Sequence, residues 1–306
     1  MHFSKNLRNE KIYTGSALVT MSYNTRSGRT PSGKLDDPRQ LPSNASEFYP
    51  IHRRSLNIQY ENAPWIEDIL GIFPMVMQYD SSLLLKNLTR DELSIIGHRY
   101  DILNTLNDDE KTLALYLHKV LQNDPLTTGV RESLTDSFVN YLLMELRFNK
   151  YPFLLNLQPD YSFQVYSTRV TAKVEFSIEK NNGILCFDED SISSTTEYGE
   201  SQIGAEILAC AFTNYDKADS PTRGKDQTIF AMRVIGSRFT LYKSFVSKDY
   251  IQSLNEGFPP EDQNVGVMRF PPNTNDTSYG YDYADENHRL LILDLLVRLR
   301  EYMRNM

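Results

Sequence analysis

Apolar and polar positions alternate with two different periods along this chain, and the change of period divides it. From Trp65 to Asn123 the period is helical. Ile66, Ile69, Leu70 and Phe73 share one face and Pro74 limits that element. Thr89 with Glu92, and Asn107 with Glu110, have the form of capping boxes; the second opens a helix carrying Leu113, Leu117, Val120 and Leu121 that Pro125 ends. Arg131 to Phe148 reads as another helix, with Leu134, Phe138 and Leu142 along it. After Pro152 the period shortens to two. Val174, Phe176 and Ile178 alternate with Glu175 and Ser177, the turn Asn181-Asn182-Gly183 predicts a hairpin, and Ile184 to Phe187 supplies its second strand. Helical spacing returns at Ile203, Ile207, Cys210 and Ala211. Two strands, Thr228 to Val234 and Arg238 to Val246, follow, joined at Gly236-Ser237. Asn255 to Asp282 is rich in loop residues, and Glu286 to Met303 is an amphipathic docking helix.

Strand and helix alternation in the second half predicts an α/β fold, with α+β as the alternative: a mixed central sheet flanked by helices, with an N-terminal helical extension. The expected divisions are a flexible basic tail over 1–49, a helical region over 50–128 and the α/β core over 129–306. The tail holds too few apolar groups to offset ordering entropy. Its Lys5, Arg8, Lys11, Arg26, Arg29, Lys34 and Arg39, followed by Arg53 and Arg54, suit a solvated tail, a crossing segment laid on the domain, or a polyanion or nuclear-import contact.

The chain has 306 residues, a net charge of −8 and 40% hydrophobic residues. That supports a real core and argues against a protein gripping nucleic acid over its whole surface. Cys186 and Cys210 sit in apolar runs and read as buried free thiols of a reducing compartment. The five histidines show no zinc-ligand spacing with them. No apolar run reaches membrane-spanning length, and the opening residues lack the apolar core of a secretory signal. The expected setting is intracellular, nuclear or cytoplasmic. Walker and Rossmann phosphate loops and the Gly-x-Ser-x-Gly turn are missing from the sequence. Tyr279 to Tyr283 is an aromatic loop that either packs or stacks on bases.

Chemistry concentrates at the hairpin. Its first strand carries Glu175, its second ends in Asp188-Glu189-Asp190, and the helix beyond starts with Gln202 and Glu206 one turn apart. Two strand-borne carboxylates brought together in this way offer hard oxygen ligands to a divalent cation. A cation there would activate water and clamp a phosphate.

The segments AKVEFSI, ILCFDEDS, GESQIGAEILACA and MRVIGSRFTLYKS, in that order after a helix bearing an acid, resemble the PD-(D/E)XK nuclease-like superfamily. Within it they resemble domains of fungal and oomycete Crinkler-type and mobile-element-associated proteins. The resemblance covers roughly 131–306. It implies a restriction-endonuclease-like core and metal-dependent phosphodiester hydrolase ancestry, with Mg²⁺ or Mn²⁺ as the cofactor of an active member. It places the first acid on Glu175, the second on Asp188 or Glu189, the helix acid on Glu132 or Asp136, and the helix glutamine on Gln202, with Glu206 beside it. The motif's lysine is replaced here by Asp190 or Ser191, depending on register. Lys173 and Lys180 are the candidates to substitute, Lys173 because it has the parity of Glu175. The function expected from this departure is a degenerate nuclease-like protein that binds DNA, RNA or a protein partner. The alternatives are an active Mg²⁺-dependent endonuclease and an unrelated interaction protein.

Overall fold

The computed structural model describes residues 33–71, 79–86, 88–123, 131–180, 183–189, 196–217, 222–277 and 279–305, and of 183–189 and 196–197 the backbone alone. Phe73, Pro74, Pro125, the Asn181-Asn182 turn, Asp190, Ser191 and the basic residues before Lys34 lie outside the described residues. The strands are β1 (Ile58–Asn62), β2 (Leu154–Leu157), β3 (Asp160–Val165), β4 (Thr168–Lys173), β5 (Phe176–Lys180), β6 (Gly183–Glu189), β7 (Gln227–Ile235), β8 (Arg238–Val246), β9 (Val265–Phe270) and β10 (Tyr281–Asp282). The helices are α1 (Pro50–Ser55), α2 (Ile66–Leu70), α3 (Arg90–Ile95), α4 (Asp108–Gln122), α5 (Glu132–Glu145), α6 (Thr196–Asp216), α7 (Lys248–Ser253) and α8 (Glu286–Asn305).

The main sheet runs β1-β9-β8-β7-β6-β5-β2, with β10 also on β8; β3 and β4 form a separate two-stranded sheet. β1 pairs parallel with β9, and β6 parallel with β7. The remaining pairings are antiparallel, so the sheet is mixed, as the α/β reading expects.

Both faces of this sheet are covered. Along β7, Phe230, Met232 and Val234 enter a core with the apolar sides of α2, α3, α4, α5 and α8. Ile229 and Ala231 enter a second core with α6, α7 and the β3–β4 pair. Period-two alternation sends neighbours to opposite faces, and along β7 both faces are buried. The capping boxes at Thr89–Glu92 and Asn107–Glu110 form as their spacing predicts.

Four elements differ from the sequence reading. Ile58–Asn62, inside the stretch expected to be helical, is an edge strand of the sheet. Val265–Phe270, expected as loop, is a strand between β1 and β8. Within the segment assigned to the tail, Leu41, Ala45 and Phe48 are buried against the α6 side, and Thr171 of β4 hydrogen-bonds Ser43 through its backbone N–H. Finally, Val174 to Ile178 is not one straight strand. Val174 enters the α6-side core and Phe176 and Ile178 the other. Residues of equal parity reach opposite faces only if the chain bends between them. The bend falls at 174–175, where the chain leaves the two-stranded sheet for the main one.

His52 anchors the entry to α1. It is 4% exposed, and its Nδ1 accepts the Tyr49 N–H at 2.9 Å. The rings of Phe48 and Tyr49 lie edge-on to it. Burial pushes its pKa down from 6.5 to about 4. Between those values the unfolded chain holds the extra proton, so stability is fully present above pH 6.5 and is lost as pH falls towards 4. At about 1.4 kcal/mol per unit, the loss is on the order of 3 kcal/mol. Urea unfolding at pH 7, 5 and 4 checks this. His52→Gln should flatten the acid limb, and equal pH slopes in both proteins would refute the assignment.

Candidate functional site

Helix α6 lies across one face of the main sheet, and its first half is unusually polar for a buried element. Glu200 is 5% exposed, Ser201 0% and Glu206 1%. The helix approaches β1 closely at Gly204, where a Cβ would stand 3.2 Å from an Ile58 methyl and 3.4 Å from the Tyr60 hydroxyl. Opposite this polar half the sheet presents Tyr60 on β1, Arg269 on β9, Tyr242 on β8 and Arg233 on β7. Tyr242 and Arg269 are direct partners across β8 and β9.

The charges interlock. The Glu200 carboxylate lies 3.3 Å from Arg269 Nε and 3.8 Å from Arg53 Nη1. The Tyr60 hydroxyl donates to the Glu200 backbone carbonyl at 2.5 Å. The Arg53 guanidinium stands over the Tyr60 ring, 5.3 Å from its centre, and that ring meets Tyr242 edge-on at 5.7 Å. Arg269 Nη2 also donates to the Thr277 carbonyl at 3.2 Å. Burial, and then the Glu200 charge, push the Tyr60 phenol well above its ordinary value. Burial raises Tyr242 too, against the pull of Arg233. Both phenols are therefore neutral at physiological pH, and the two guanidiniums beside Glu200 compensate its carboxylate.

Gln202 and Glu206 meet as their spacing predicts, Gln202 Nε2 donating to Glu206 Oε1 at 3.1 Å. Glu175 sits at the bend before β5. Its carboxylate accepts from the Gln158 side chain at 2.9 Å, and its carbonyl accepts the Gln158 N–H at 2.8 Å. The β5–β6 ladder ends at Phe176 and Phe187, so Glu175 and Asp188 are the next positions along it. Asp188 in turn pairs with Arg233 across β6 and β7. The side chains of Asp188 and Glu189 lie outside the described residues.

Glu132 is the exposed first residue of α5, which packs on the sheet face opposite α6, and Asp136 is half-buried one turn later. Lys173 closes β4 opposite Asp160, in the two-stranded sheet. The bend separates it from β5, so the expectation that Lys173 and Glu175 share one face of a single strand is not met. Lys180 Nζ donates to the carbonyls of Met303 and Arg304 at 2.8 and 2.5 Å, capping the end of α8. The expectation of free thiols is also overturned: Cys210 is disulfide-bonded.

The aromatic loop packs inward. Tyr283 is fully buried with its hydroxyl on the Leu83 carbonyl, and Tyr281 lies against Phe270 and His288. Among the described residues no cluster of three or more His, Cys, Asp or Glu side chains is placed to hold a metal, and no helix is long and apolar enough to cross a membrane.

Sequence reasoning missed Tyr60, Arg233, Tyr242 and Arg269, and read Arg53 only as one of the basic residues of the N-terminal region. A usable signal existed for two of them. Arg233 and Arg269 are single charges inside otherwise apolar strands, and a strand buried on both faces admits a charge only with a partner. No protein-family model matches the chain, and no curated protein matches it significantly.

Proposed function

We propose that this chain is a nuclease-like protein of PD-(D/E)XK ancestry that has lost the motif lysine and acts by binding nucleic acid or a protein partner. What carries the reading is the whereabouts of the lysines. The motif position holds Asp190 or Ser191. Lys180 is tied to the end of α8, and Lys173 lies beyond the bend on another sheet. An ammonium beside the attacking water and the phosphate stabilises developing charge; losing such a contributor costs about 10²–10³ in rate.

Charge distribution says where nucleic acid would touch. Residues 1–32 hold five Lys or Arg and one Glu, a net +4, which leaves −12 on the rest of the chain. A body of that charge repels a phosphate backbone. Contact with DNA or RNA therefore falls to the basic stretch 1–32, and would weaken steeply with salt. Were a divalent cation bound, Glu175 with Asp188 or Glu189 would hold it, and it would supply a polarised water.

The test combines calorimetric Mg²⁺ and Mn²⁺ titration with plasmid nicking by the wild type and Glu175→Ala, and a mobility shift on single- and double-stranded probes. We expect nicking at background for both proteins. Metal-dependent nicking that disappears in Glu175→Ala would replace this reading with an active endonuclease.

A further inference from the structure

Helix α6, which carries Gln202 and Glu206, is fixed by more than packing. Cys210 lies in its second half, 0% exposed, and is disulfide-bonded. The sequence contains one other cysteine, Cys186. Two observations point to that residue as the partner. Position 186 lies on β6, and the ladders pair it with Ser177 on one side and Ala231 on the other. Ala231 shares the α6-side core with Cys210, and Ser177 accepts a hydrogen bond from Tyr161 of that same core. Cross-strand partners share a face of the sheet, so position 186 belongs to the layer beneath α6. The complete burial of Cys210 also leaves no approach for a cysteine of another molecule.

We propose that Cys186 and Cys210 form a redox-sensitive clamp between β6 and α6. It joins the strand that ends in Asp188 and Glu189 to the helix that carries Glu200, Gln202 and Glu206. Oxidised, the clamp fixes the separation of the two acid-bearing elements. Reduced, it leaves that separation to packing alone, and the site becomes mobile. The purpose of the clamp rests on the functional reading above; its existence does not.

The chemistry is ordinary thiol–disulfide exchange with a cellular dithiol as reductant. One thiolate of the dithiol attacks a sulfur of the bond and expels the other as thiolate. The second thiol of the reductant then resolves the mixed disulfide. Two electrons and two protons pass to Cys186 and Cys210, and the reductant leaves as its own disulfide. Because Cys210 is buried, attack waits on local opening of α6, so reduction is slow under native conditions and fast in denaturant.

The test uses the full chain equilibrated with oxidised glutathione, then denatured in iodoacetamide without reductant and mapped by mass spectrometry. We expect no alkylated cysteine and one cross-linked pair of peptides containing Cys186 and Cys210, and two alkylated cysteines after dithiothreitol. Reduction should lower Tm by about 5 °C, given a closed loop of this size in a chain of this length. It should also speed amide exchange in α6 and β6 while leaving α8 unchanged. Cys210→Ser should behave as the reduced protein does, and reduced wild type serves in its place if that variant does not fold. Two alkylated cysteines, glutathione adducts or disulfide-linked dimers after oxidation would overturn the pairing. Exchange in α6 that ignores redox state would overturn the clamp. Neither result depends on nuclease ancestry, which the nicking experiment tests alone.

Discussion

Arg269→Met will destabilise the protein by about 3–5 kcal/mol, the range for removing one partner of a buried ion pair. Arg269 is 1% exposed, its Nε is 3.3 Å from Glu200, and its Nη2 bonds the Thr277 carbonyl. Without it the Glu200 carboxylate stays buried, with Arg53 at 3.8 Å as its remaining ion-pair partner of the two. The cost comes mainly from the stranded charge, because methionine fills much of the same space. Glu200→Gln made in the Arg269→Met background should therefore be cheaper than in the wild type. Urea unfolding of the two single variants and the double variant measures that coupling. Strictly additive losses, or a single-variant loss below about 1 kcal/mol, would show that the pair is not what holds α6 to β9.

What the sequence made legible was local. A capping box depends on residues three apart, and those at Thr89 and Asn107 form. The hairpin of β5 and β6, the β7–β8 pair and the long α8 follow from period and turn chemistry. The pair of Gln202 and Glu206 follows from one helical turn. What escaped was set by residues far apart in the chain. β1 and β9 come from distant segments and pair in parallel, so neither stretch announces its partner, and Gly266 and Arg269 interrupt the apolar alternation of β9. The candidate site follows the same division. Its helix side was readable, but the guanidiniums that compensate Glu200 arrive from α1 and β9. The bend at 174–175 was invisible because alternation looks unbroken in Val174, Phe176 and Ile178. Only the different cores they enter show that the strand changes sheets there.

A second guanidinium tests whether buried cations in this fold always depend on carboxylates. Arg289 is 1% exposed, and its donors reach five backbone carbonyls: Tyr283 through Nε at 3.0 Å, Leu84, Leu85 and Leu88 through Nη1 at 2.8, 2.9 and 3.2 Å, and Ala284 through Nη2 at 2.9 Å. Burial lowers its pKa, with Tyr283, Glu286, Asp285 and Asp282 opposing. The side chain thus ties the start of α8 to the segment around Leu83–Leu88, whose backbone includes a left-handed residue, Leu85, at φ 44°. Arg289→Met would leave these carbonyls without their donor, at about 1–3 kcal/mol for each group that stays buried and unmet. Partial relaxation makes the sum smaller than five such losses, and we expect about 4 kcal/mol. Arg289→Lys should recover little of it, because one ammonium cannot reproduce the planar fork. Hydrogen exchange separates this variant from Arg269→Met. Arg289→Met should release amides near 83–88 and 283–289 first, with β7 and β8 protected, whereas Arg269→Met should release the first half of α6. If both variants open the same amides, the two guanidiniums brace one cooperative unit rather than opposite faces of the sheet.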